Sequence, residues 1–271
     1  ANRQIGMHGG KCPQRNGKWP APRDRQDARR ACPRMAGMER IADARSPDTD
    51  GTHRRALIRA WPAALGIAIL AGLWLSPLVE MSRRAFSAHM ILHLGIVTLA
   101  APMIVIGLRR IGIGLHVIRP GIGSAIAASA FDMFVIWGWH TPVLHEAAAR
   151  DGGVFVVQQV SFLAAGLLVW AVSFAGRHSG DAAIGAFAML ATFIHMTMLG
   201  VLLALAPVLV YAPDVCVGAF GFERLDDQRL GGILMAVFGG LPCLVGGLVL
   251  VQRLLGSDTA AAGRTDGPVR G

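Results

Sequence analysis

The chain is 271 residues long, 53% hydrophobic and 16% charged, with a mean hydropathy of +0.48. That balance excludes an ordinary soluble domain and fits a membrane protein. The net charge of +9 suggests a nucleic-acid partner at first sight, but residues 1–60 hold 14 Lys and Arg against 6 Asp and Glu, and residues 61–271 hold 12 against 11. The basicity belongs to the N-terminal tail, so no nucleic-acid partner is expected for the apolar body.

In chain order, residues 1–57 read as a basic tail without apolar periodicity, expected to be disordered. It has no apolar core of the signal-peptide type. The expected native start is Met35 or Met38, downstream of the Arg-, Pro- and Gly-rich residues 1–34. Mass spectrometry of the native N-terminus tests this, and peptides from 1–34 would exclude it.

Six apolar stretches follow, each near the 20 or so residues that cross ~30 Å of hydrocarbon. They run over 58–79, 86–108, 121–139, 153–175, 183–207 and 231–252, with charged or turn-rich breaks between them. The predicted fold class is all-α: a polytopic bundle of about six transmembrane helices over 58–253, with a short disordered tail over 254–271. The glycines Gly231, Gly232, Gly239 and Gly240 predict close helix packing.

Orientation follows from arginines in the short loops. With the N-terminus cytoplasmic, eleven lie inside (Arg45 to Arg270) and five outside (Arg83, Arg84, Arg150, Arg224 and Arg229). Both termini are therefore expected in the cytoplasm of a bacterial inner (plasma) membrane, with the lipid bilayer as partner.

This topology gathers ligand-type residues toward the outer face. His89 and His93 are spaced i, i+4, which puts both on one helix face a turn apart. The segment from Trp137 to His145 is a helix exit carrying His140 and His145, and Pro142 limits how Thr141 continues the helix. Gln158 and Gln159 re-enter on the next span. His195 lies near mid-depth with Met198 at i, i+3, a pairing of imidazole and thioether that suits Cu(I). Asp132, mid-span, is expensive in hydrocarbon. It reads as a partner orienting a histidine, as a protonated acid, or as the lining of a water-filled cavity. The loop 211–230 brings Asp226, Asp227 and Gln228 to the mouth of the last span.

Each of these has a bland alternative. The histidines can be hydrogen-bonded to loop carbonyls, the tryptophans form an aromatic belt, and His195 can be a satisfied core residue beside packing methionines. The convergence of several ligands on one face is the stronger signal. His116 and His178 read as solvated. Cys243 reads as a small core residue and Cys216 as a lone thiol in a loop; no CxxC occurs. No GxSxG, Walker loop or HExxH is present.

On these residues the chain resembles the CtaG family of haem–copper cytochrome c oxidase assembly factors. The matching stretches are Ser87-Ala-His-Met-Ile-Leu-His93 with Ala100-Ala-Pro102, then Trp139-His-Thr-Pro142 with His145. Gln158-Gln-Val-Ser-Phe-Leu163 with Trp170, Leu199-Gly200 with Ala206-Pro207, and Asp226-Asp-Gln228 with Leu230-Gly-Gly232 and Met235 complete the series. It covers residues 61–253. The resemblance implies a membrane factor that matures the oxidase, with oxidase subunits as partners and copper as the ion held or delivered. The chain departs from the family where Gln159 stands for a histidine, and at Ala236 and Phe238. An amide is a poorer copper ligand than imidazole.

The expected metal ligands are therefore His89, His93, His140, His145, His195 and Met198, with Gln159, Asp132, Asp227 and Gln228 beside the bound group. The protein is expected to hold or hand over copper and not to be an enzyme. Three other readings stay open: a haem-binding protein using two histidines on different spans, a transporter or proton pathway through Asp132 and His195, and a structural chaperone without metal.

Overall fold

The computed structural model describes residues 49–113, 121–176 and 178–265. The chain divides into two units, residues 1–55 and 56–271; of the first, only residues 49–55, the opening turns of a helix, are described. The proposed starts Met35 and Met38, together with Cys12, Cys32 and His116, lie outside the described residues.

The described chain is all-helical, with no strand among those residues. Helix α1 spans Thr49–Leu75 and α2 spans Leu78–Ser82. Helix α3 covers Phe86–Ile111, with a π-helical stretch at Gly95–Ala100. Then come α4 (Ile122–Trp139), α5 (Pro142–Arg150), α6 (Gly152–Ser173) and α7 (Ser179–Ala204). Helix α8 starts as Arg224–Leu234, passes through a second π-helical stretch, Met235–Gly239, and continues as Leu241–Thr265.

Six of these helices, all but α2 and α5, are long and apolar enough to cross a membrane. They match the six expected spans to within a few residues, except that α8 begins at Arg224, seven residues before its expected start. Helical structure also enters both expected tails, since α1 starts at Thr49 and α8 runs to Thr265. The outward faces carry large apolar side chains, among them Ile67, Leu99, Phe134, Val156, Phe187 and Leu248. Such a surface is at home in lipid and not in water.

Helix α3 is the centre of the bundle: 61% of its span is buried, against 17% for α1. Both π-helical stretches lie just ahead of a proline, Pro102 in α3 and Pro242 in α8. A proline nitrogen has no hydrogen for the carbonyl four residues back, which loosens the ladder there. The bundle compensates: the Trp170 indole N–H donates to the Val97 carbonyl at 3.2 Å, inside the π-helical stretch of α3. Freed backbone groups at membrane depth need such partners.

Helices α7 and α8 cross at small residues. A Cβ built on Gly200 would stand 2.7 Å from the Gly232 carbonyl oxygen, and one on Gly232 would stand 2.7 Å from that of Gly200. Ala204 and Ala236, each four residues on, touch the same crossing. This is the small-xxx-small contact that lets backbones approach in lipid, and it bears out the packing expected of Gly232.

Candidate metal centre

The site is built at the end of the bundle where α3 and α8 begin. Both helices start there, so two sets of unpaired N–H groups and two positive dipole ends meet. Asp227, in the first turn of α8, answers both. Its Oδ2 accepts from the Phe86 N–H at 2.8 Å and the Ser87 N–H at 3.3 Å, and its Oδ1 accepts from the Ser87 hydroxyl. Helix α3 has no side-chain cap of its own, because its N-cap residue is Ala85, which carries no polar side chain. A carboxylate from a distant helix thus fixes the turn that carries His89 and, one turn on, His93.

Gln228 works alongside it. Its Oε1 accepts from the Val210 N–H at 2.8 Å, and its Nε2 donates to the Val208 carbonyl at 3.4 Å. Asp227 and Gln228 were expected beside the bound group. In the structure their polar atoms are bonded to backbone and serine groups that hold the frame. We predict that Asp227→Ala lowers thermal stability by about 1–3 kcal/mol, the range for a lost cap and a buried charge-assisted bond. Asp227→Asn should lose less, since one amide oxygen still accepts; equal effects in a denaturation series would contradict the capping role.

His140 follows the last turn of α4. Its Nδ1 lies 2.6 Å from the Ile136 carbonyl and donates to it, which leaves the lone pair on Nε2. This is the arrangement by which a backbone carbonyl orients a ligating imidazole. Thr141 is extended ahead of Pro142, and Pro142 opens α5 at its N-terminal end, where a missing N–H does no harm. That short helix brings His145 back over the site. Helix α5 is tied to the following loop by the Arg150–Asp214 ion pair at 3.0 Å and by Ala212 N–H donating to Glu146 at 3.0 Å, and Arg150 also pairs with Glu146 within the helix at 3.0 Å.

The four imidazoles form one cluster. Ring centres lie 4.8 Å apart for His89–His145, 5.5 Å for His89–His140, 5.5 Å for His93–His140 and 6.2 Å for His89–His93. Two imidazoles on one ion at nitrogen distances of about 2.0–2.1 Å have centres roughly 5–5.5 Å apart. The spacing is near that range, but among the described residues no group of three or more His, Cys, Asp or Glu is placed so that it could hold a metal ion. All four histidines are buried. Phe162 packs 4.3 Å from His93, Tyr211 4.4 Å from His145 and Phe86 5.6 Å from His145. The Tyr211 hydroxyl donates to the His140 carbonyl at 3.0 Å.

The polar inventory of the pocket is incomplete. His89 Nε2, both nitrogens of His93, His140 Nε2 and His145 Nδ1 are buried without a hydrogen-bond partner. An orphaned buried polar group costs about 1–3 kcal/mol, so five at one place need partners that the protein does not supply, water or an ion among them. Burial holds His140 down to about 4 and His145 down to about 3, against the small opposing effect of the Ile136 carbonyl on His140. Both are neutral imidazoles at physiological pH, the form that ligates metals.

The family model for the cytochrome c oxidase caa3 assembly factors (Caa3_CtaG) matches residues 44–257. The chain belongs to that family. The match is somewhat wider than the 61–253 covered by the resemblance, and it contains all four clustered histidines. Comparison with curated proteins and with solved structures gave no match. As a member of the oxidase assembly factors, the chain is a membrane protein that associates with cytochrome c oxidase.

In this assembly factor, the remaining expected site residues fall elsewhere. His195 Nε2 lies 3.0 Å from Asp132 Oδ2, and the pair ties α7 to α4 inside the bundle. Among the described residues no ring contact joins His195 to the four histidines. Met198 shares an apolar surface groove with His195 but is 47% exposed, facing outward. His195, Met198 and Asp132 are thus not part of the cluster: His195 and Asp132 pair with each other, and Met198 faces outward. Asp132 does orient a histidine, one of the roles its position suggested.

Gln158 and Gln159 share the buried face of α6 with Phe155 and Phe162. The Gln159 amide donates to Gln158 Oε1 at 3.2 Å, and Gln158 Nε2 and Gln159 Oε1 have no partner. His178 is exposed, as expected, beside Asp181. Cys243 is buried, as expected of a core residue; Cys216 is buried too, and burial pushes its thiol up to about 11.

Sequence reasoning missed the aromatic wall. Phe86, His89 and His93 follow an i, i+3, i+7 pattern, as do Phe155, Gln158 and Phe162, and each pattern marks one helix face. Tyr211 is the single tyrosine of the chain, placed at the mouth of the cluster.

Proposed function

We propose that this assembly factor holds a copper ion among His89, His93, His140 and His145 and hands it to an oxidase subunit. The observation that carries the reading is the set of orphaned imidazole nitrogens from three helices, gathered in one buried cluster with aromatic neighbours. An all-imidazole set suits copper among several transition metals, and the client is an oxidase. The pocket supplies neutral nitrogen donors, excludes water and fixes His140 in the tautomer that offers Nε2. No bond of a substrate is made or broken, so the role is delivery, not catalysis.

The arginine count supports a cluster on the outer side, with both termini in the cytoplasm of a bacterial plasma membrane. Haem binding is the competing use of buried histidines.

The test is a host lacking this gene. Its oxidase should assemble copper-poor, and the wild-type chain should restore the copper content. A reporter fused after Arg253 should be active only in its cytoplasmic form. Copper-replete oxidase in the deletion host, or a Soret band in the purified chain, would overturn the proposal.

A further inference from the structure

The end of the bundle opposite the histidines has a polar cavity of about 360 Å³, lined by Arg109, Ser173, His178, Ser179, Asp181 and Arg253 among others. That volume falls at the lower end of small-ligand pockets. We propose that it binds an anionic phosphate group, best matched by a phosphodiester such as a lipid headgroup.

Ser173, the last residue of α6, is 2% exposed and lines the cavity, yet its hydroxyl has no hydrogen-bond partner. A buried hydroxyl left idle beside a polar cavity is a donor awaiting an acceptor. Arg109 closes the last turn of α3, and Arg253 projects from α8 with its guanidinium 5.7 Å over the Phe174 ring. Stacking of this kind holds the planar fork in place. Guanidinium and hydroxyl donors together are the chemistry that recognises phosphate oxygens.

Charge favours an anion. Asp181 caps the start of α7, accepting from the His178 N–H at 3.2 Å, with the His178 ring 3.3 Å away. Among the described lining residues two guanidinium groups face one carboxylate, an excess of positive charge that favours an anion such as a phosphodiester. The level agrees: Ser173 ends one span and Ser179 begins the next, so the cavity stands where lipid headgroups meet the bilayer surface.

The test uses the purified full chain in mild detergent, with native mass spectrometry and thermal unfolding as readouts. The probes are phosphatidylglycerol, diacylglycerol and inorganic phosphate. Phosphatidylglycerol should be retained and raise Tm. Ser173→Ala and Arg253→Gln should each weaken retention about tenfold, the value of one charge-assisted hydrogen bond. Neither should lower the Tm without lipid, since the Ser173 hydroxyl is buried without a partner and the Arg253 guanidinium is exposed. Arg110→Gln, whose guanidinium lies over Trp61, should retain lipid like the wild type. Protection by inorganic phosphate, lost in the same two variants, would support the phosphate site with a soluble ligand. Equal retention of diacylglycerol, which has the same acyl chains and no phosphate, or wild-type retention by Ser173→Ala and Arg253→Gln, would overturn it.

Discussion

His93→Ala should abolish maturation of the oxidase while leaving the chain in the membrane at near-normal abundance. Both His93 nitrogens are buried without partners. Truncation therefore removes two unsatisfied polar atoms, a gain of about 1–3 kcal/mol each, and leaves a cavity beside Phe162 of comparable cost. The two effects oppose, so folding is little changed. Metal binding has no such offset. Outer-shell partners of metal sites alone are worth roughly 10–100-fold in affinity, and a direct ligand should exceed that. Met198→Leu, half-exposed on the apolar surface of α7, should behave as wild type. Quantitative immunoblotting of membranes beside an oxidase assay checks both variants; loss of protein in parallel with activity would make His93 a structural residue.

Gly232→Leu should have the opposite signature, with protein and activity lost together. Even a methyl at Gly232 would press on the Gly200 carbonyl oxygen. Backbone cannot swing aside as a flexible side chain can, so α7 and α8 must separate. Overpacking costs typically 1–3 kcal/mol and sometimes more, so Gly232→Ala should lower Tm by roughly 3–10 °C for a chain of this size. The damage spreads because α8 also carries Asp227, which holds the first turn of α3. Gly72→Ala, with nothing within 4 Å of its Cβ, is the control and should leave Tm unchanged. Similar Tm values for Gly232→Ala and Gly72→Ala would refute the close crossing.

The contrast between these variants marks what a sequence can reveal. The spans were legible because hydrocarbon thickness sets a length that local composition must meet. His89 and His93 were legible because an i, i+4 pair shares a face whatever surrounds it. His140 and His145 joined them because both sit at one span exit. The tasks of Asp227 and Gln228 were not legible, since their partners, Phe86 and Ser87 for one and Val208 and Val210 for the other, are chosen by tertiary packing. Helix α5 was hidden because Pro142 signals both a turn and a helix start, and only the following residues' contacts decide. His195 and Met198 shared a face in the sequence argument, but a helical spacing does not say at which depth a partner stands. Asp132 took that partnership.

The direct measurement is the copper content of the chain purified in mild detergent, read beside X-ray absorption at the copper edge. About one copper per chain is expected, with imidazole nitrogens at roughly 2.0 Å. His89→Ala, His93→Ala and His140→Ala should each empty the site, while His195→Ala keeps its copper. Copper retained in all three cluster variants, or bound through sulfur ligands, would contradict a copper site built from the cluster.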